Sequence, residues 1–324
     1  MAMDRDKVSA FSSQKGFAGF DEADFAAYEP KKWSSNAYTL ARRTAKDKVL
    51  LVANSLESEL AEELEGLELF GSDEAPTIAN GRKVEAQWAY FIRTADARSI
   101  LKPRLQTTDL GAASLFDISL QSQHIALSLK LNFEGITISV DLPSKATVDR
   151  ENLKLLIQED DFIEESIAIL QSLPGSSTVG FENDRIEALS ITPEHLKAFG
   201  EQLCNVDGLF SIQTQIPSED VIAVGATSSQ TIVEISERFI PVYNQLAWSK
   251  DKDRIEILKE IKNVEKTKKQ AHVASFQVGE RVTILSGLFS GRVGYLQEIN
   301  DSGKAKVMVG PIAVNVEAKD LKAN

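Results

Sequence analysis

The chain has 324 residues, of which 43% are hydrophobic and 26% are charged, and its formal net charge is −12. This length exceeds one typical domain and the apolar content suffices for a sizeable core, so two domains are expected. A single cysteine, Cys204, excludes an internal disulfide, and three scattered histidines (His124, His195 and His272) lack the spacing of a zinc site.

The N-terminal sequence MAMDRDKVSAF mixes acidic and basic residues and has no apolar stretch typical of a signal peptide. The apolar runs elsewhere are too short to cross a bilayer. We therefore expect a cytoplasmic protein with no membrane partner. Cys204 is predicted to be a buried helix residue.

The negative charge is concentrated before residue 251. From there to the end, 13 Lys or Arg stand against 10 Asp or Glu, a net charge of +3, so the preceding 250 residues carry −15. An acidic body repels a phosphate backbone, and this repulsion argues against an extensive nucleic-acid surface on residues 1–250. Only the C-terminal part is expected to approach a polyanion.

The first half of the body is predicted to contain helices followed by antiparallel strands. Ser35 is placed to cap a helix with an apolar face, and AQWAYFIR (86–93) has the aromatic and β-branched content of a strand. Apolar residues then alternate with polar ones in three segments, 116–120, 125–131 and 136–142. Period-two alternation with short connections indicates an antiparallel meander with one covered face rather than a parallel nucleotide-binding sheet.

The second half is predicted to mix helices and strands in the same way. Thr192 followed by Pro193 is a helix start signal for a helix that runs through Cys204. Residues 228–270 are predicted to be continuously helical, with a kink at Pro241. The fold class is therefore α+β. The expected domains are an acidic body (1–250, either undivided or with two subdomains near 1–158 and 159–250), a helical connector (251–275) and a small C-terminal β-barrel (276–324).

The sequence contains no recognisable catalytic motif. The patterns GxxxxGK[ST] and GxSxG are both missing, and adjacent acids such as Asp160–Asp161 and Glu164–Glu165 are expected from composition alone. His195 is a candidate acid or base, although a surface helix histidine is the commoner outcome. No catalytic residue, metal site or cofactor is predicted, and the question of enzymatic activity stays open with a non-enzymatic protein favoured.

The pattern changes at Phe276, where four or five short strands follow within about 45 residues. Gly287 and Gly291 bracket a tight loop, and they and Gly294 are expected where the chain turns sharply or adopts a positive φ. The turns at Asn300–Gly303 and Gly310–Pro311 reverse the chain again. A closed barrel is expected because an open sheet this small would leave exposed edges.

The segment VTILSGLFSGRVGYLQEI (282–299) resembles the KOW motif, which is shared by a large-subunit ribosomal protein family and by the NusG family of transcription factors. The resemblance implies an SH3-like barrel whose loops carry Phe289, Arg292 and Tyr295 on the binding side. An exposed aromatic residue beside arginine suits stacking on an unpaired base or docking on a ribosomal or transcription protein. Arg281, Lys304 and Lys306 are candidates for phosphate contacts, whereas Phe289 and Tyr295 alternatively cap the barrel core.

Three hypotheses follow. The first is a non-enzymatic accessory protein that binds RNA, a ribosomal protein or an RNA polymerase component through its C-terminal barrel. The second is an enzyme with its active site in the body and the barrel as a docking appendage. The third is a structural role for the barrel in assembly.

Overall fold

The computed structural model describes residues 16–78, 80–101, 120–257, 259, 276–300 and 304–323. The chain divides into two compact units, Met1–Lys252 and Asp253–Asn324, here called the body and the C-terminal unit. Both contain antiparallel sheets and the body adds helices, so the α+β prediction is confirmed.

The body contains eight α-helices among its described residues. They are α1 (Glu22–Ala26), α2 (Thr39–Glu59), α3 (Ala95–Leu101), α4 (Thr147–Leu156), α5 (Asp160–Gln171), α6 (Pro193–Gln202), α7 (Ser218–Val224) and α8 (Ser228–Leu246). Its strands are β1 (Leu67–Gly71), β2 (Ala86–Arg93), β3 (Ala126–Asn132), β4 (Gly135–Leu142), β5 (Thr178–Phe181), β6 (Asp184–Glu187) and β7 (Phe210–Pro217).

These seven strands form one antiparallel sheet in the order β1-β2-β3-β4-β7-β5-β6. The sheet combines strands from before and after residue 158. Strands β4 and β7 pair over eight residues, from Gly135 opposite Pro217 to Leu142 opposite Phe210. The predicted strand at 86–93 and the alternating segments at 125–131 and 136–142 are confirmed as β2, β3 and β4. The predicted segment 116–120 lies outside the described residues except for Leu120, which begins a 3₁₀ turn.

The body has an extended hydrophobic core on one face of this sheet and a smaller buried cluster on the other face, formed by Phe70, Tyr90, Ile92 and Ala126. Alternate residues of β3 and β4, such as Leu127, Leu129, Ile138 and Val140, are almost fully buried in the extended core with apolar side chains of the helices. Helices α2 and α8 pack against the central strands and against each other. Because the period-two alternation fixes which side chains face these helices, it also fixes the register of the strands.

Two predictions about helices are wrong. Helix α8 ends at Leu246 rather than continuing to residue 270, because Ala247 is extended (φ −69°, ψ 133°) and the next residue has its backbone groups bonded to side chains of the body. Cys204 is exposed, since α6 ends at Gln202 and the cysteine lies in the turn that follows. Of the predicted connector 251–275, residue 258 and residues 260–275 lie outside the described residues.

The C-terminal unit contains a five-stranded antiparallel sheet. Its strands are β8 (Arg281–Ile284), β9 (Val293–Ile299), β10 (Lys304–Val309), β11 (Ile312–Glu317) and β12 (Leu321–Ala323), in the order β11-β10-β9-β8-β12. One face covers a small core, which is formed by Phe276, Val282, Ile284, Leu296, Ala305, Val307 and Leu321.

The expectation of a closed barrel is wrong, because the two end strands β11 and β12 do not pair and the sheet is open. The argument from edges fails because both edges are protected by other means. Strand β12 has only three residues, and β11 carries Asn315 and Glu317 at exposed positions. The β9–β10 pairing also shifts register between Lys306 and Val307. Such an irregularity increases the local twist of the sheet, so the sheet does not present a flat edge.

Candidate recognition surface of the C-terminal unit

The loop between β8 and β9 is closed by hydrogen bonds within its own residues. The Gly291 N–H donates to the Ile284 carbonyl (2.7 Å), and the Ser290 N–H donates to that of Gly287 (3.1 Å). The Ser290 hydroxyl donates to the Leu285 carbonyl (2.9 Å). Gly287 and Gly291 have φ of +80° and +78°, so the prediction for these two glycines is confirmed.

Phe289 and Leu288 have opposite roles in this loop. Phe289 is half-buried and packs against the core of the unit, so it anchors the loop instead of offering a free ring. Leu288 is fully exposed at the tip. Arg292 is also exposed, at the point where the loop enters β9. The loop therefore presents the apolar side chains of Leu285 and Leu288 and the cationic side chain of Arg292 to solvent.

Gly294 lies within β9, where a glycine is needed because the neighbouring strand leaves no space for a side chain. A Cβ atom at this position would lie 2.5 Å from the carbonyl oxygen of Met308 and 2.6 Å from a Val307 methyl group. Gly294 therefore permits the close approach of β9 and β10. Its inward position places the next residue, Tyr295, on the outer face of the sheet.

The outer face carries a row of side chains that crosses four strands. Arg281 on β8 is paired with Tyr295 on β9, Tyr295 with Met308 on β10, and Met308 with Ala313 on β11. Tyr295 is 58% exposed, so its ring is available from solvent. It belongs to a strand, whereas the resemblance implied a position on a loop.

Two lysines of β10 extend this row along the strand. Lys304 and Lys306 alternate with the buried Ala305 and Val307, which puts both lysines on the outer face. Lys306 and Tyr295 line the same open groove, together with Met308, Gln297 and Glu298. We name this surface, formed by Arg281, Tyr295, Lys304, Lys306 and Met308, the outer face.

The three cations of this surface make no ion pair, although an acid is the cross-strand neighbour of two of them. Arg281, Lys304 and Lys306 have no ion-pair partner within 4 Å among the residues that the structure describes, and Lys304 lies opposite Glu317 on β11. The nearby acid Glu317 is already paired with Lys319 at 3.1 Å, and this contact raises the pKa of Lys319 above its ordinary value. Glu298, opposite Lys306, keeps the surface from being strongly positive.

Four of the predicted binding residues thus come together and two lie apart from them. Arg281, Tyr295, Lys304 and Lys306 share the outer face, while Phe289 and Arg292 belong to the loop between β8 and β9. Met308 was missed by the sequence analysis. The alternation along β10 was enough to predict that Met308 faces outward. Its cross-strand neighbour Tyr295, however, is set by the register shift between Lys306 and Val307, which the sequence does not reveal.

The body contains a buried polar cluster that the sequence analysis also missed. Arg93, at the end of β2, contacts the carboxylate of Asp149 on α4 through both of its terminal nitrogens (2.5 and 3.1 Å). This buried pairing raises the pKa of Arg93. His124 is buried nearby, and desolvation lowers its pKa to about 4. Burial raises the pKa of Tyr243 to about 12.

The other candidate residues of the body have structural roles. His195 accepts the Thr192 N–H through Nδ1, while its own N–H donates to the Thr192 hydroxyl, so the two residues cap α6 together. The adjacent acids Asp160, Asp161, Glu164 and Glu165 are exposed. A cavity of about 30 Å³ between the sheet and helices α4, α5, α6 and α8 has an apolar lining, and this volume is too small for a substrate.

Within the described parts of the chain, no group of three or more His, Cys, Asp or Glu side chains is arranged to hold a metal ion. None of the helices in those parts has both the length and the apolar character needed to cross a membrane. No protein-family model matches the sequence, and a search of curated proteins finds no match to it.

Proposed function

We propose that the protein is a non-enzymatic accessory factor that binds single-stranded RNA through the outer face of its C-terminal unit, in the manner implied by the resemblance to KOW domains. The observation that carries the proposal is the cross-strand row in which the exposed ring of Tyr295 lies between Arg281 and Met308. An exposed ring offers a stacking platform for an unpaired base, and cations beside it contact the phosphates.

The unpaired state of the cations supports RNA over a purely structural role for this surface. Arg281, Lys304 and Lys306 have no anionic partner at ion-pair distance among the described residues, so a phosphate group would not have to displace one. The modest number of cations predicts weak binding with little sequence preference. The ribosome and the transcription apparatus, where RNA is accessible and locally concentrated, are the settings we propose.

A second candidate function is docking on a ribosomal protein or an RNA polymerase component through the loop between β8 and β9. The fully exposed Leu288 on a loop closed by its own hydrogen bonds favours it, since an apolar side chain at an exposed tip suits insertion into a protein pocket. Leu288→Ala tests it: binding to purified ribosomes or RNA polymerase would fall, while binding to free RNA would not change.

The RNA proposal is tested by fluorescence anisotropy of the full-length protein with a labelled single-stranded oligonucleotide of 12 nucleotides. Loss of one base–aromatic stack costs about 1–3 kcal/mol, so Tyr295→Ala is expected to weaken binding roughly 5- to 150-fold. Lys319→Ala is the matched control, because this exposed lysine is paired with Glu317. Equal affinities of the Tyr295→Ala variant and the wild type would refute the proposal.

A further inference from the structure

An extra residue in β9 brings a carboxylate to the same side of the sheet as the Tyr295 ring. Tyr295 lies opposite Met308, whereas Lys306, two residues before Met308 on β10, lies opposite Glu298, three residues after Tyr295 on β9. In a regular strand, residues three apart point to opposite faces. Because Gln297 is the extra residue of this bulge, Glu298 shares the face of Tyr295, and bulges next to functional sites commonly redirect a side chain in this way.

The carboxylate and the ring line one groove. Tyr295, Glu298 and Lys306 all border an open groove of about 530 Å³, a volume within the range of small-ligand sites. A base stacked on the ring of Tyr295 in this groove can turn its edge toward Glu298, while Lys306 lies within reach of the adjoining phosphate. The groove thus combines a stacking surface, a cation and a hydrogen-bond acceptor at one nucleotide position.

Glu298 is exposed and available to a ligand. It makes no ion pair within 4 Å with any residue in the described parts of the chain, although Lys306 is its cross-strand neighbour. Glu317, the other acid on this side of the sheet, differs in that it is paired with Lys319 at 3.1 Å. Of the two carboxylates, Glu298 therefore has the free oxygens and is the one that shares the groove with Tyr295.

An ionised carboxylate accepts hydrogen bonds and donates none. Cytosine, adenine and guanine carry an exocyclic amino group that donates to such an acceptor, whereas uracil has a carbonyl oxygen where cytosine has its amino group. We propose that Glu298 makes the outer face select bases with an exocyclic amino group over uracil at the position stacked on Tyr295. This inference rests on the proposed RNA binding and adds a base preference that stacking and phosphate contacts do not supply.

The proposal is tested by fluorescence anisotropy of the full-length protein with two labelled RNAs of 12 nucleotides, oligocytidine and oligouridine. We expect oligocytidine to bind at least fivefold more tightly, a ratio that corresponds to about 1 kcal/mol, the typical net value of one hydrogen bond. Equal affinities for the two RNAs would overturn this inference while RNA binding itself stood. Absence of binding to both RNAs would refute the proposed function and this inference with it.

Glu298→Gln tests the carboxylate with almost no change of shape. A glutamine amide donates as well as accepts, so it suits either pyrimidine, and the affinity ratio of the two RNAs is expected to fall below twofold. Affinity for both RNAs is expected to rise because a negative charge is lost. The ratio is measured on a single preparation, so a change in the folded fraction of the variant does not alter it.

Glu317→Gln is the matched control, since it removes the same charge from the same side of the sheet. Glu317 is already bound by Lys319, so the affinity ratio is expected to keep its wild-type value. A solvated acid that merely repels phosphate would change the affinity for both RNAs alike in either variant. An unchanged ratio in Glu298→Gln, or an equal fall of the ratio in Glu317→Gln, would therefore contradict base selection by Glu298.

Discussion

At the scale of single residues, buried arginines organise the body by binding backbone carbonyls. Arg150 is 2% exposed and donates to the carbonyls of Leu142, Leu203, Val206 and Gly208. Arg42 likewise donates to the carbonyls of Lys32 and Ser35. Burial lowers the pKa of Arg150 to about 10, which still leaves it charged at neutral pH. Each such arginine fixes a loop that has no regular backbone pairing.

Arg150→Lys is expected to destabilise the body by about 2–3 kcal/mol, because an ammonium group lacks the planar fork that reaches four carbonyls. Urea unfolding at pH 7 measures the change. Arg238→Lys is the control, since Arg238 is exposed on α8 and surface changes of this kind usually stay within about 0.5 kcal/mol. Equal stabilities of the two variants would contradict the role given to Arg150.

His124 predicts an acid-sensitive contribution to stability. Its pKa is lowered from 6.5 to about 4 in the folded body, where desolvation dominates, Asp149 opposes the shift, and Arg93 and Arg98 add to it. As the pH falls below 6.5, the unfolded chain binds a proton that the folded chain does not, so stability present at neutral pH is lost progressively down to about pH 4.

The matching measurement compares wild type with His124→Gln in urea unfolding between pH 7 and pH 4.5. The wild type is expected to lose roughly 2 kcal/mol more than the variant over this range, from about 1.4 kcal/mol for each pKa unit. Parallel pH profiles of the two proteins would show that burial of His124 does not contribute in this way.

At the scale of elements, the sequence predicts the end of a helix correctly where residues close in the chain determine that end. Thr192 and Pro193 mark the start of α6, and the Thr192 hydroxyl indeed accepts the His195 N–H. The end of α8 was not predictable in the same way. It depends on Arg93 and Asp149, which are 155 and 99 residues away from Trp248 in the chain. A contact at such separation leaves no periodic signal in the sequence.

Two glycines of the C-terminal unit are expected to respond differently to substitution. Gly287→Ala meets open space and is disfavoured only by its positive φ, which costs about 1–2 kcal/mol. Gly294→Ala adds an overlap with the backbone of Met308, which cannot move without disrupting β10, and should cost more, about 3 kcal/mol. Thermal unfolding of the C-terminal unit ranks the two variants, and the reverse order would contradict the packing role of Gly294.

At the scale of the whole molecule, the sequence predicted the α+β class and an uneven distribution of charge. It did not predict the open sheet, because strand alternation determines which face is buried but not whether the two end strands pair. It predicted four residues that share the outer face, yet it grouped Phe289 and Arg292 with them. For Phe289 the structure shows the alternative role that the sequence analysis left open, packing on the core of the unit, and the choice between the two roles depends on a three-dimensional contact.

The number of cations on the outer face predicts how RNA binding depends on salt concentration. Three cations lie on the outer face, and single strands give a slope of about −0.7 for each phosphate contact, so log K against log salt is expected to fall with a slope of roughly −2. Lys306→Ala should reduce the slope to roughly −1.4. A much steeper slope would indicate that cations outside the outer face contribute to binding.

The most direct test of the proposed RNA-binding surface is photochemical crosslinking of the full-length protein to a single-stranded RNA that contains 4-thiouridine, followed by mass mapping of the tryptic peptides. The account predicts that the dominant crosslink lies in the peptide of residues 293–304, which contains Tyr295, and that Tyr295→Ala reduces its yield in line with the weaker binding. Crosslinks confined to residues 16–246 would contradict the account, because they would place the RNA on the acidic body.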